Sequence, residues 1–290
     1  MSTALAHLRR LREQAGHTPA AVPAAPARTT ARDATASLRR MLGVRTRTSV
    51  PLRRAAAHLR VLPGEEIADG LRLIERVLPW TEMPEAFDGA FAREESLRAA
   101  DLLFFDTETT GLAGGTGTRA FMIGASDFVP EGLRVRQLLI AHLSAERGML
   151  DAFAGWLRPG MRLVSYNGRC YDAPLLITRY RLARRANPLE GLPHLDLLYP
   201  TRRRYRGVWE NCRLATIERR ALNIVREDDL PGSEAPAAWL GYLRGGSSEL
   251  LCRVAEHNFQ DVVTLARLLA HLSVLGPVEG RPLPGVAPKI

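Results

Sequence analysis

From residue 100 onward, apolar runs, glycine turns and helical stripes follow one another in a legible order. "DLLFFD" (101–106) is an uninterrupted apolar run ending in a carboxylate, the pattern of a strand covered on both faces. "GLAGGTGT" (111–118) is a glycine-rich turn, followed by two more strand patterns, "RAFMIGASDF" (119–128) and "GLRVRQLLIA" (132–141). Strands separated by such short connections predict an antiparallel meander. "AERGMLDAFAGWL" (145–157) has the spacing of an amphipathic helix, "RLVSYN" (162–167) that of a strand, and "DAPLLITRYRLARRA" that of a helix starting at Asp172. Further helices are predicted near 196–204, 212–222 and 235–243. A last one over about 248–274 carries apolar residues at Leu250, Leu251, Val254, Val262, Leu265, Leu268 and Leu269. The sum is an α/β class: a mixed sheet, antiparallel first and parallel later, flanked by helices.

Before residue 100 the pattern is weaker. Residues 1–47 are rich in Ala, Pro and Arg, with a low-complexity core at 16–36, and read as a disordered arm, with short basic helices expected at 3–14 and 36–42. Residues 48–98 read as a lead-in packed on the main domain. Within it the apolar residues of 51–80 are spaced too loosely to separate strand from helix. The main domain is expected over 99–275 and a flexible tail over 276–290.

Charge refines this division. The net charge of +9 is concentrated in residues 1–60, where twelve arginines face only Glu13 and Asp33. The remainder holds 28 basic and 29 acidic residues. A basic arm suits a polyanion such as nucleic acid. Equally, lysine occurs once, at Lys289, so arginine is this chain's default cation. No apolar run reaches the roughly 20 residues of a membrane span, and "MSTALAHLRRLREQAG" lacks the apolar core of a secretory signal. Its Ala, Thr and Arg bias leaves an organellar transit peptide as the lesser alternative. Cys170, Cys212 and Cys252 are far apart and form no CxxC pair, which argues against a disulfide framework or zinc knuckle and fits a reducing cytoplasm. No protein partner is deducible.

The chemistry lies in "FDTETTGL". In a strand, Asp106 and Glu108 share a face because side chains alternate with period two. Two neighbouring carboxylates repel, and burial sharpens the repulsion. Hard divalent cations with oxygen ligands, Mg²⁺ or Mn²⁺, relieve it. The bland reading is two exposed acids at a strand end. Further acids lie downstream: Asn167 and Asp172 five apart in "YNGRCYD", and His257 and Asp261 four apart on one helix face in "EHNFQDVVTL". "GGTGT" lacks the Gly-Lys-Ser/Thr ending of a phosphate-binding loop and reads as a plain turn.

Together "FDTETTGL", "YNGRCYD" and "HNFQD" resemble the three motifs of the DEDD 3′–5′ exonucleases, over about residues 100–275. "LPHLDLLYPTRRRY", "CRLATIERRAL" and "HNFQDVVTL" further resemble the bacterial YprB-like branch of ribonuclease-H-like proteins. The resemblance implies a ribonuclease-H-like fold and hydrolysis of phosphodiester bonds from a 3′ end, with a nucleic acid, DNA or RNA, as partner through a single-stranded 3′ end. It implies two divalent cations on Asp106, Glu108, Asp172 and Asp261, with Glu108 and His257 catalytic and His257 the general base. Leu112, Asn167 and Tyr171 are implied at the substrate. In the His-type members the histidine precedes the last Asp by five residues, and here the gap is four, the spacing of the Tyr-type. Asp196 matches a recurrent acid and equally a helix cap. Arg202, Arg203, Arg204 and Arg206 with Tyr205 and Trp209 suit either a phosphate grip or a solvated helix end. The competing expectation is a ribonuclease-H-like module that binds nucleic acid without turnover. Preference between DNA and RNA is not encoded in these motifs.

Overall fold

The computed structural model describes residues 55–111, 116–227 and 229–278. The expected arm (1–47), most of the expected tail and Leu112 lie outside the described residues.

Among the described residues nine strands form: β1 (Glu65–Ala68), β2 (Leu71–Leu78), β3 (Ala86–Asp88), β4 (Ser96–Arg98), β5 (Leu102–Thr109), β6 (Ala120–Val129), β7 (Gly132–Ile140), β8 (Arg162–Ser165) and β9 (His194–Asp196). Seven make one sheet in the order β1-β2-β7-β6-β5-β8-β9, and β3 pairs with β4 in a separate hairpin. β5, β6 and β7 are antiparallel neighbours, whereas β8 runs parallel to β5 and β9 parallel to β8. The helices are α1 (Glu146–Ala154), α2 (Asp172–Leu182), α3 (Leu198–Tyr205), α4 (Leu214–Ile217), α5 (Ala235–Leu243) and α6 (Glu249–Leu275). α4 runs on into a π-helical turn, Glu218–Leu222. No helix among the described residues is long and apolar enough to cross a membrane.

β5 is central because both its faces are covered. Leu103 and Phe105 point into a cluster with Met149, Leu150 and Phe153 of α1 and Leu176 and Tyr180 of α2. Leu102 and Phe104 point the other way, into Val262, Leu265 and Leu269 of α6. All four of these β5 residues are at most 1% exposed, which is why the strand reads as an unbroken apolar run. α6, 27 residues and about 40 Å long, serves both clusters: Leu251 and Val254 enter the first, Val262 to Leu272 the second. Leu250, expected among its apolar positions, is 44% exposed.

The segment expected as a lead-in supplies two strands of the sheet itself. β2 pairs with β7 along its whole length, Leu71 with Ile140 through Leu78 with Leu133. The tight Asp69-Gly70 turn, with Gly70 at φ +66°, folds β1 back on β2. The loose pattern of 65–78 follows from an edge: β1 is exposed throughout, and β2 is buried only at Leu71 and Ile74.

One close approach in the ladder matters for the site. Gly124 of β6 stands opposite Asp106 of β5. A Cβ there would lie 2.0 Å from Oδ1 of Asn258, a fully buried residue of α6. Glycine is what lets α6 settle this near the sheet. Gly124→Ala is therefore expected to lower unfolding stability by about 1–3 kcal/mol, the usual cost of overpacking, read as a lower urea midpoint with an unchanged m-value.

Candidate active site

The alternation of β5 distributes "Asp-Thr-Glu" between two helices. Asp106 and Glu108 share the face of Phe104, which is the face of α6. Thr107 shares the face of Phe105, which is the face of α2. Each side is tied down accordingly: Asn258 Nδ2 of α6 donates to Asp106 Oδ2 at 3.0 Å, and the Thr107 hydroxyl donates to Asp172 Oδ1 at the first turn of α2. Asp261 lies on α6 less than one turn beyond Asn258. The strand end thus receives carboxylates from its own backbone and from both flanking helices.

Their charges are mutually felt. Burial first, then the charges of Asp172, Asp261 and Glu108, push Asp106 well above the ordinary carboxylate range, and only the Asn258 hydrogen bond works against this. Glu108, 6% exposed, is raised well above it by burial and by Asp261, Asp172 and Asp229. Burial raises Asp172 to about 6 although Thr107 opposes it. Asp261 is raised by burial against the pull of Arg226 and His257. Such a set of hard oxygen donors is short of positive charge, and it suits a divalent cation. Glu108, His257 and Asp261 each offer a ligand atom within 4.8 Å of the others.

Five residues outside the acidic set orient this centre: Gln137, Asn258, Glu218, Arg226 and Asp229. Gln137 of β7, 1% exposed, donates from Nε2 to Asn258 Oδ1 at 3.0 Å and to the Ala255 carbonyl at 2.7 Å, so the side chain that holds Asp106 is itself held. Asn258 sits in register with Val254, Ala255 and Val262, a lone amide in the buried stripe of α6, and that interruption is the signal it left in the sequence. Arg226 donates from Nε and Nη2 to both oxygens of Glu218, each at 2.7 Å, and also from Nη2 to Asp261 Oδ1. Burial works against its charge, but the bonds to Glu218 and the charge of Asp261 outweigh that and raise its pKa. Asp229 accepts from His257 Nδ1 at 2.6 Å. Arg226 Nη1 also lies 3.1 Å from that same nitrogen, and Nε2 faces Asp261 Oδ2 at 3.5 Å. Arg226, Glu218 and Asp229 read in sequence as ordinary surface charges.

The second motif is held by Asp196 at the end of β9. Its carboxylate, 3% exposed, accepts the amides of Asn167 at 2.7 Å, Arg169 at 3.1 Å and Leu198 at 3.0 Å. Asp196 thus fixes the loop leading to Asp172 and caps the start of α3 together. Asn167 adopts φ +68°, a left-handed conformation that asparagine tolerates better than most residues. Tyr171 is 63% exposed beside Asp172. Two of the arginines of α3 bind backbone carbonyls. Arg203 donates to the Phe91 carbonyl at 2.8 Å, and Arg204 to the Gly276 carbonyl at 2.6 Å past the end of α6. Tyr205 and Trp209 stack on each other with ring centroids 4.1 Å apart.

The family described as the RNase_H superfamily matches residues 103–273. The YprB protein of Bacillus subtilis (strain 168) is 35% identical over 174 residues, which is 60% of this chain and 42% of YprB. The chain therefore spans about two-fifths of the length of that curated relative. Among solved structures, the family B DNA polymerase of the archaeon Pyrobaculum calidifontis is similar at a TM-score of 0.46 and 14% identity, over 59% of this chain and 26% of the polymerase. E. coli Exonuclease I in complex with a dT13 oligonucleotide is similar at a TM-score of 0.36 and 14% identity, over 53% of this chain and 42% of that one.

The arginine bridge carries its own test. Arg226→Met leaves Glu218, whose side chain is 1% exposed, as an unpaired buried charge. The expected loss is about 3–5 kcal/mol in chemical denaturation. Arg226→Met combined with Glu218→Gln is expected to recover much of it.

Proposed function

The chain belongs to the RNase H superfamily, and from that premise we propose that it is a metal-dependent nuclease, a 3′–5′ exonuclease that hydrolyses phosphodiester bonds with two divalent cations, Mg²⁺ or Mn²⁺. The observation that carries this reading is the crowding at the end of β5: Asp106 has its pKa raised by burial and by the charges of three further carboxylates, Asp172, Asp261 and Glu108. No structural need of the fold calls for four acids there. A cation site does.

In this reading Asp106, Glu108, Asp172 and Asp261 hold the ions. When bound, the ions supply Lewis-acid stabilisation of charge on the attacking and leaving oxygens. Everything else is done by the chain. Asn258 and Thr107 orient Asp106 and Asp172 so that their remaining oxygens face the centre. Arg226 takes one oxygen of Asp261 and leaves the other toward His257. In this reading His257 accepts the proton of the attacking water at Nε2, the ring nitrogen that neither Asp229 nor Arg226 contacts. The four-residue spacing to Asp261 supports this role, because i and i+4 lie on nearly one helix face and Nε2 comes to 3.5 Å from Asp261. Asn167, Tyr171 and Leu112 border the substrate, and the basic N-terminal arm adds affinity for nucleic acid independent of sequence.

The test uses purified protein with Mn²⁺ on single- and double-stranded DNA and RNA labelled at either end. Stepwise release of nucleoside monophosphates from free 3′ ends is expected, with no cleavage in EDTA or by Asp106→Asn. His257→Ala is expected to lower turnover about 10²–10⁴-fold while keeping metal-induced thermal stabilisation. Equal cleavage of circular or 3′-blocked strands contradicts the exonuclease. Undiminished cleavage in EDTA contradicts the metal mechanism. Tight binding without turnover favours the non-catalytic module.

A further inference from the structure

Immediately after Glu108 the chain enters the neck of the glycine-rich loop. The Thr110 amide donates to the Arg119 carbonyl at 2.9 Å, and the Arg119 amide returns a bond to Thr110 Oγ1 at 3.0 Å. Arg119, thus paired with Thr110 two residues past Glu108, lines a cleft of about 710 Å³ together with Thr116, the start of α1 and the end of α2.

The charge of that cleft is one-sided. Arg119, Arg147, Arg179 and Arg184 line it against a single carboxylate, Glu146. Glu146 is already engaged twice: Arg179 donates to it from Nε at 2.6 Å and Nη2 at 2.7 Å, and Arg119 from Nη1 at 2.5 Å. Arg179 also donates from Nη1 to the Thr116 carbonyl at 3.0 Å, tying Thr116 to α2. These three side chains are scaffold, and no further carboxylate among the described lining residues meets the two exposed arginines, Arg147 and Arg184; Arg147 also donates from Nη2 to the Ala183 carbonyl at 3.0 Å, which holds its guanidinium at the end of α2. Arg184 holds φ +56°, a left-handed position just past a helix end where glycine is the usual residue. Backbone strain of this kind is found where a side chain serves a purpose other than stability. A larger cleft, about 840 Å³, is lined by His257 and by Glu227, Asp229, Glu249 and Glu256 against Arg76, Arg226 and Arg253, a more acidic lining than that of the arginine cleft.

We infer that the arginine cleft binds the sugar-phosphate backbone of the polynucleotide whose 3′ end lies at the acidic centre, with Arg147 and Arg184 as the phosphate contacts. The inference rests on the nuclease reading and names where its substrate strand enters. A guanidinium fork matches a phosphate in a bidentate manner and carries no base preference, so DNA and RNA strands are both accepted.

The experiment measures binding of fluorescent oligothymidylate and oligouridylate to the full chain by anisotropy, in EDTA so that nothing is cleaved, across a salt series. Arg147→Gln with Arg184→Asn is the informative variant, because both positions are exposed and asparagine tolerates the left-handed backbone. Each lost contact is expected to flatten the slope of log K against log salt by about 0.7 for a single strand. With Mn²⁺ present, KM should rise while kcat at saturation is kept. Arg147→Glu, which leaves the left-handed residue untouched, should weaken binding in the same sense. Arg98→Ala with Arg158→Ala removes the same charge near the opposite end of β5 and should leave the slope as in wild type. If wild type binds and cleaves while the Arg147/Arg184 variant keeps its affinity, slope and KM, the cleft assignment is overturned and the nuclease reading stands. An equal loss in the Arg98/Arg158 control overturns the assignment too. A wild type that neither binds nor cleaves either polymer overturns both.

Discussion

The organisation of this protein turns on one electrostatic constraint: four carboxylates meet at the end of a buried strand and cannot all be ionised there unaided. Asp106 and Glu108 are pushed well above the ordinary range, burial first and neighbouring acids second, and Asp172 is raised to about 6. A raised pKa means that the folded state binds more protons than the unfolded chain. Stability is therefore fullest below the unfolded carboxylate value of about 4 and declines as pH rises toward the folded value. For Asp172 that window runs from about 4 to about 6. A fold that accepts this loss near neutral pH is what the proposed cation centre requires.

The surrounding structure is best understood as what keeps these acids in place. Repelling side chains turn away from one another unless hydrogen bonds hold them. Gly124 clears the space through which Asn258 reaches Asp106, and Gln137 fixes Asn258. Thr107 holds Asp172, while Asp196 pins the loop before it through three amides. Among the described residues Arg226 is the one cation bonded directly to a member of the set, and Glu218 draws on two of its donors, Nε and Nη2. Thr264 in turn donates to Glu218. The ionic groups here have partners on nearly every donor, which makes the array costly to disturb at a single point.

Much of this was legible in the sequence, for reasons that differ by element. β5 to β8 and α6 announce themselves because two-sided burial writes long apolar runs and stripes. Period two puts Asp106 and Glu108 on one face, and it was the resemblance to the exonuclease motifs, not spacing, that grouped them with Asp172 and Asp261, whose charges they feel in the structure. β1 and β2 were undecidable because an edge hairpin buries only two of their residues, Leu71 and Ile74. β9 and the β3–β4 hairpin, three residues per strand, are too short for any period to show. The Glu218–Arg226 bridge was invisible for another reason: a buried ion pair uses the same letters as a solvated surface. Arg203 and Arg204 illustrate the converse, charged residues suited to a ligand that instead clamp backbone carbonyls.

If the acids share cations, binding must drive off the protons that repulsion keeps on them. Titration calorimetry of the metal-free protein with Mn²⁺ between pH 6 and 7, in buffers of different ionisation enthalpy, reads this directly. The account predicts heats that vary with the buffer and a net release on the order of one proton or more, growing smaller as pH rises and reduced in Asp106→Asn. Heats independent of buffer, or a release unchanged by Asp106→Asn, would contradict it.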